Sequence, residues 1–266
     1  MPGVAELRGL WRRSLIAWPD GMRDTTTNVH WLQGLSAYID LRQPALAPDF
    51  SHARGLADLS LEDCAWLATQ EGFSGQFGFD GAYFEWARTI DFQPKPLYSD
   101  AGSLWWEGNV LIEKGRDISY IEHWHRDEEA ATYPVAAVTL RERHKNTPGA
   151  FLRVGRNFML ARDRAVIPPA QQTLSECVAA APTLRHAQAL VDCEISFGVV
   201  GLEEFRITAS TLPYRIGDIL NQQLGDSTLT TNDRDHNGNA ITRQWEITGI
   251  EGVTGALQPL PDIQAL

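Results

Sequence analysis

The chain has 266 residues, of which 43% are hydrophobic and 21% are charged, and its net charge is −11. These proportions exclude a disordered chain, and the acidic charge excludes broad nucleic-acid binding, which needs a basic surface. No apolar run approaches the ~20 residues that span a bilayer, so no membrane partner is expected.

Strand-like segments open the chain at residues 10–18, 24–33 and 36–42, and their alternate positions mix aromatic with charged side chains. A stretch rich in proline and alanine follows at 43–59. A short helix is then predicted, because Ser60 can cap its first turn and Asp63 stands at the third position of a capping box.

Further strands are predicted to the end of the chain, interrupted once by helices. A hairpin at 76–90 turns at Asp80-Gly81, and strands follow at 103–106, 109–113, 119–126, 135–143 and 151–161. Helices are predicted at 170–181 and 184–191, and strands at 195–200, 204–209 and 241–250. This pattern predicts an all-β fold with short helical inserts and favours one or more antiparallel β-barrels, which remove sheet edges by closure.

The helical interruption suggests a division of the chain. We expect residues 1–167 to form a β-barrel domain. Residues 168–266 would be a helical insert plus C-terminal strands that either complete that barrel or form part of a second one. The three cysteines are widely spaced and form no CxxC pair, so a reduced, cytoplasmic protein is expected.

The third strand carries the clearest polar pattern. Tyr38, Asp40 and Arg42 share one face, because strand residues two apart point the same way. If the intervening apolar residues face a packed layer, these three line the barrel lumen. The alternative is a polar stripe that faces solvent.

The strand at 119–126 carries two histidines on one side, His123 and His125, a spacing at which two imidazoles bind one metal ion. His30 and His144 are available as further ligands, but no pattern places them nearby. Two histidines without a metal explain the same residues, and we predict neither a metal nor a cofactor.

A loop near the C-terminus partly resembles a calcium loop. Asp233, Asp235, Asn237 and Gly238 stand at its first, third, fifth and sixth positions. The twelfth position, where that loop needs glutamate, is Gln244. A polar loop before the last strand explains these residues equally well.

Catalytic motifs give little support to a reaction. The chain has no Gly-x-Ser-x-Gly elbow, no Gly-x-Gly-x-x-Gly fingerprint and no phosphate-binding loop. Glu85, Glu122 and His123 are the candidate acid–base residues, provided that they face one cavity. The chain is rich in tryptophan, and these rings either fill a lumen or line a pocket. The predicted ligand-binding residues are Arg13, Trp31, Tyr38, Asp40, Arg42, Trp86 and Trp124.

The opening strands also resemble a known group. Trp11-Arg12-Arg13, Asp24-Thr25-Thr26-Thr27, Trp31-Leu32-Gln33 and Asp40-Leu41-Arg42 are similar to lipocalin-like (calycin) proteins of an uncharacterised family, whose fungal Hri-type branch has two lipocalin-like barrels. The resemblance implies a calycin-type fold that binds a small apolar or amphipathic molecule, and it implies no reaction. It also implies that Trp11 closes the barrel base beside a late arginine, for which Arg243 is the candidate.

Three functions therefore remain open. The first is a binding protein with a small-molecule ligand in the barrel lumen. The second is a lipocalin-fold enzyme, an isomerase, cyclase, hydratase or lyase, with one or two acid–base residues. The third is a filled barrel that serves as an interaction surface. A homodimer is an alternative to a monomer.

Overall fold

The computed structural model describes residues 1–128, 132–201 and 204–258, whose strands form two antiparallel sheets. The first sheet is a meander that closes on itself, because its last strand pairs with its first, placing Trp11 opposite Arg126 and Ala17 opposite Ile121. Its strands are β1 (Gly9–Ala17), β2 (Arg23–Asp24), β3 (Asn28–Gln33), β4 (Ala37–Gln43), β5 (Glu71–Phe79), β6 (Phe84–Asp91), β7 (Asp100–Glu107), β8 (Val110–Gly115) and β9 (Ile121–Arg126).

The second sheet is a half-barrel with the strand order β14-β13-β12-β11-β10-β17-β16-β15. One of its edges, that of β14, is covered by residues 217–220: the Ile207 N–H donates to the Asp218 carbonyl oxygen (3.0 Å), and the Leu220 N–H donates to that of Phe205 (2.7 Å). The strands are β10 (Val135–Glu142), β11 (Pro148–Val154), β12 (Asn157–Arg162), β13 (Glu194–Val200), β14 (Phe205–Ser210), β15 (Gln223–Leu224), β16 (Thr228–Arg234) and β17 (Ala240–Gly252).

The two sheets share a core. Strand alternation turns one set of side chains into each interior and the other set toward the neighbouring sheet. Ile39 and Leu41 of the barrel thus belong to one buried cluster with Val135, Met159 and Ile195 of the half-barrel. Three short helices complete this layer, α1 (Leu61–Leu67), α2 (Leu174–Ala179) and α3 (Leu184–Leu190).

The predicted fold class is confirmed: antiparallel strands dominate, and the helices are few and short. The helix predicted after Ser60 is α1, and the Ser60 hydroxyl accepts from the Asp63 N–H (3.1 Å). Among the described residues, no helix has the length and apolar character needed to cross a membrane.

The sheet pairing places the change from one sheet to the other between Arg126 and Val135, and not at residue 167 where we expected it. Strands β10–β12 pair with one another and, through β13 and β17, with the C-terminal strands. The helical stretch that suggested a boundary is a connection within the second sheet, from β12 to β13. The C-terminal strands thus belong to a second curved sheet.

The polar segment at 230–238 also differs from the expectation of a loop. Its first half belongs to β16, in which Leu229, Thr231 and Asp233 are buried at alternate positions. The Asp235 carboxylate accepts from the Asn237 and Asn239 N–H groups (both 2.9 Å). The segment is therefore a strand followed by a side-chain-stabilised turn.

Candidate functional site

The interior of the first barrel is filled with aromatic side chains at one end. Trp31 lies at the centre of this cluster, with ring centroids 5.2 Å from Trp124, 5.5 Å from Trp11 and 5.7 Å from Trp86. Phe77 packs on Trp86 at 4.8 Å. At these separations the rings pack against one another. The predicted ligand-binding tryptophans therefore fill the lumen, although Trp86 also reaches a cleft described below.

The other end of the lumen carries charges. Arg13 donates to Glu122 (2.5 Å), Arg42 donates to Asp40 (3.0 Å) and to the same Glu122 (3.4 Å), and all four side chains are largely buried. Four of the predicted binding residues, Arg13, Tyr38, Asp40 and Arg42, therefore face the interior, and they form no solvent-facing stripe. A small pocket of about 140 Å³ opens over Arg13 and Arg42.

The pKa values of two interior carboxyl groups are raised above the usual range. Burial raises the pKa of Asp40 to about 6, because burial raises this pKa by more than the nearby Arg42 lowers it. Burial and the nearby Glu122 also raise the pKa of Glu113, which accepts hydrogen bonds from Tyr120 (2.7 Å) and from the indole of Trp124 (3.0 Å). Glu113 was not among the predicted site residues, because Tyr120 and Trp124 come close to it only when β8 pairs with β9.

The raised pKa of Asp40 predicts a pH-dependent stability. A carboxyl with a higher pKa in the folded protein than in the unfolded chain favours folding at low pH, and this contribution is lost as pH rises from about 4 to above 6. Wild type should therefore lose about 1–2 kcal/mol of unfolding free energy from this group between about pH 5 and pH 8. Asp40→Asn should lack this loss.

Denaturant unfolding at both pH values measures this change in the free energy of unfolding, with Asp226→Asn as the matched control because Asp226 is exposed. Equal pH slopes in wild type and Asp40→Asn would contradict the assignment.

The predicted acid–base trio is not brought together. Glu122 points into the lumen, where Arg13 binds it, while the neighbouring His123 points out of the barrel wall because strand residues alternate. Glu85 of β6 lines a separate cleft beside that strand. These three side chains therefore form no shared catalytic centre.

His123 and His125 share the outer face of β9, as the alternation predicted, and the other candidate metal ligands lie elsewhere. His125 lies 2.8 Å from the Ser14 hydroxyl on the outer wall, and His30 is buried against Phe197 of the second sheet. Asp233 makes an ion pair with Arg243 (2.6 Å). Within residues 1–128, 132–201 and 204–258, no group of three or more His, Cys, Asp or Glu side chains could hold a metal ion.

Arg243 does not close the barrel base as the resemblance implied. It lies in the second sheet, where it binds Asp233 and Glu142 (3.1 Å). The arginine that covers Trp11 is Arg126 of β9, whose guanidinium carbon is 4.8 Å from the indole centre. Arg126 lies in the last strand of the first barrel, a position that could not be assigned from the sequence without knowing where that barrel ends.

A cleft of about 730 Å³ lies beside β6 at the charged end of the first barrel, where the guanidinium of Arg88 lies over the same Phe73 ring as that of Arg42. One wall is strand β6, the facing wall is the β6–β7 connection, and the third is the segment after β12. Its lining residues are Glu85–Arg88, Thr89, Asp91, Gln93, Lys95–Asp100, Asp163, Arg164, Ile167, Pro168 and Ala170.

The cleft combines an apolar rim with charged walls. Leu97, Tyr98 and Ile167 are 75%, 56% and 89% exposed, which is unusual for large apolar side chains so close together. Behind them, Arg88 donates to Asp91 (2.8 Å) and Asp100 (2.6 Å). This arrangement suits a ligand with both apolar and polar parts.

The walls of the cleft are joined by one buried arginine. Arg164 donates to the carbonyl oxygens of Asp91 (3.1 Å), Phe92 and Leu190. It therefore ties the end of β6 to the segment after β12 and to the end of α3. No local sequence pattern predicts this cleft, because its walls come from distant parts of the chain.

Comparisons with known proteins identify the fold but no activity. No family model and no curated protein matches the chain. The chain is similar to the crystal structure of the uncharacterised Saccharomyces cerevisiae protein YLR301w, with 11% identity, a TM-score of 0.50 and coverage of 91% of this chain and 98% of that one. This similarity supports a fold of two barrel-like sheets. Sliding-clamp structures from Pseudomonas aeruginosa and Thermotoga maritima have TM-scores of 0.15 and 0.14, which are too low to indicate a shared fold.

Proposed function

We propose that the protein binds a small amphipathic molecule, and that the site is the cleft beside β6. The observation that carries this proposal is the cleft's volume of about 730 Å³, which falls within the roughly 300–1,000 Å³ of ligand pockets. The lumen is the weaker location for the ligand, because rings fill one end and the pocket at the other end measures only about 140 Å³.

We also infer that the first barrel is lipocalin-like. The closed meander and the packing of Arg126 over Trp11 support this inference. The cysteines Cys64, Cys177 and Cys193 are free and buried, which fits a reducing compartment such as the cytoplasm.

The test is ligand titration followed by tryptophan fluorescence, with fatty acids, aromatic acids and haem-like compounds as probes. Trp86 lines the cleft, so binding there should change the emission, and Trp86→Phe should remove that change. Ile167→Asp places a charge on the apolar rim and should raise the Kd about tenfold or more, a loss of ~1.4 kcal/mol.

The matched control is Leu46→Asp, because Leu46 is 95% exposed and does not line the cleft. It should leave the Kd unchanged. No saturable change with any probe, or equal effects of the two substitutions, would contradict binding in the cleft.

A further inference from the structure

Strand β6 of the first barrel has an edge that its neighbour β7 covers only in part. On one side it pairs with β5 along its length, from Phe84 to Asp91. On the other side, β7 pairs only with Phe84, Glu85 and Trp86. Among the described residues, the backbone of residues 87–90 has no hydrogen-bonded strand on that side.

The uncovered edge faces the cleft. Residues 85–89 line it consecutively. Side chains on one face of a strand are two residues apart, so a cavity against a face would be lined by alternate residues. The cleft therefore runs along the edge of β6.

The chain covers the comparable edge of the half-barrel. Residues 217–220 lie along β14 and bond to its backbone. Beside β6 the chain instead leaves the edge at Asp91 and returns at Asp100, and it forms the opposite wall of the cleft. Unpaired strand edges are templates for the addition of another strand.

We propose that the ligand of this cleft is an extended peptide that adds a strand to the edge of β6 at residues 87–90. This proposal rests on the proposed function, since it uses the same cleft, and it names the ligand's chemistry. The amide groups of the peptide would bond to the free backbone of β6, and its alternate side chains would fill the two sides of the cleft.

The surroundings of the edge define which peptide fits. Leu97 and Ile167 offer an apolar contact to one side chain. The charged side chains that line the cleft are the carboxylates Glu85, Asp91, Asp100 and Asp163 and the cations Arg88, Lys95 and Arg164, so the carboxylates exceed the cations by one. Together with the chain's net charge of −11, this favours a peptide with apolar and basic residues in alternation.

The experiment selects phage-displayed random heptapeptides on the immobilised full chain and then measures synthetic copies in solution. Enriched peptides should alternate apolar with basic residues, and Ile167→Asp should weaken them about tenfold or more, while Leu46→Asp should not. N-methylation of a central amide removes one backbone donor and should weaken binding by a similar factor. The amide exchange of residues 87–90 should slow when the peptide binds.

The outcomes separate the two proposals. If the amphipathic probes bind in an Ile167-dependent way but no peptide is enriched, the cleft site stands and the strand-addition proposal is wrong. Peptides that tolerate N-methylation, or that leave the exchange of residues 87–90 unchanged, would also overturn it. If neither peptides nor probes bind, both proposals fall. Concentration-dependent dimerisation that protects residues 87–90 would assign the edge to a second copy of the chain instead.

Discussion

Replacing Trp31 with alanine is expected to lower the free energy of unfolding by about 3–5 kcal/mol. Trp31 is 1% exposed, and its ring contacts those of Trp11, Trp86 and Trp124. Its indole N–H donates to the Gln33 side chain (3.2 Å). Alanine would remove these contacts, leave a cavity in the middle of the lumen and take the partner from Gln33.

Chemical denaturation of wild type, Trp31→Ala and Trp105→Ala measures this effect. Trp105 is a matched control, because it lies on the outside of the barrel wall, where its indole bonds to Glu107 (2.9 Å). Its replacement should cost less than about 1 kcal/mol. Indole should raise the melting temperature of Trp31→Ala and not that of wild type, because an apolar cavity in a protein binds a small aromatic molecule.

This experiment also decides where a ligand can lie. A cost below about 1 kcal/mol for Trp31→Ala would mean that the aromatic rings are loosely packed. Ligand binding inside the lumen would then become the leading hypothesis. A large cost with rescue by indole would leave the cleft beside β6 as the site.

The features predicted correctly are those that depend on residues near one another in sequence. Alternation along the third strand predicted that Tyr38, Asp40 and Arg42 share a face, because the period of two is a property of any strand. Ser60 and Asp63 predicted the start of α1 for the same reason, since a capping box spans four residues.

The features missed depend on pairings across the chain. Arg164 meets the carbonyl oxygen of Asp91 across 73 positions, and no local pattern links the two. The limit between the sheets was misplaced because α2 and α3 interrupt the strand pattern more visibly than the short connection after Arg126 does. Asp233 was assigned to a loop because its polar neighbours concealed the alternation of β16.

The half-barrel repeats the plan of the first barrel, with an apolar interior at one end and ion pairs at the other. Phe151, Phe158 and Phe205 pack together in its apolar part. Its charged part joins Arg215 to Glu194 and Asp218, and Arg243 to Asp233. Buried charges of this kind are tolerated only when each has its partners, so the loss of one partner has a large expected cost.

Replacing Arg215 with methionine is therefore expected to lower the free energy of unfolding by about 3–5 kcal/mol. The side chain of Arg215 is 1% exposed, and it donates to Glu194 (3.0 Å), to Asp218 (3.0 Å) and to the Asn232 carbonyl oxygen (3.2 Å). Methionine keeps the length of the side chain and removes the charge. Glu194, itself 1% exposed, would retain only a 3.8 Å contact with Arg162 among the described cations.

Denaturant unfolding of three variants tests this explanation. Arg206→Met removes a 2.6 Å ion pair with Glu204 in which both side chains are more than a third exposed, and it should cost less than about 1 kcal/mol. Arg215→Met with Glu194→Gln should be more stable than Arg215→Met alone, because the second change removes the buried charge that the first leaves without its partner. If the double variant is the less stable, the cost arises from lost packing around Arg215. Side-chain packing, and not charge pairing, would then stabilise the charged end of the half-barrel. The two interiors would resemble each other in their geometry but not in the interactions that stabilise them.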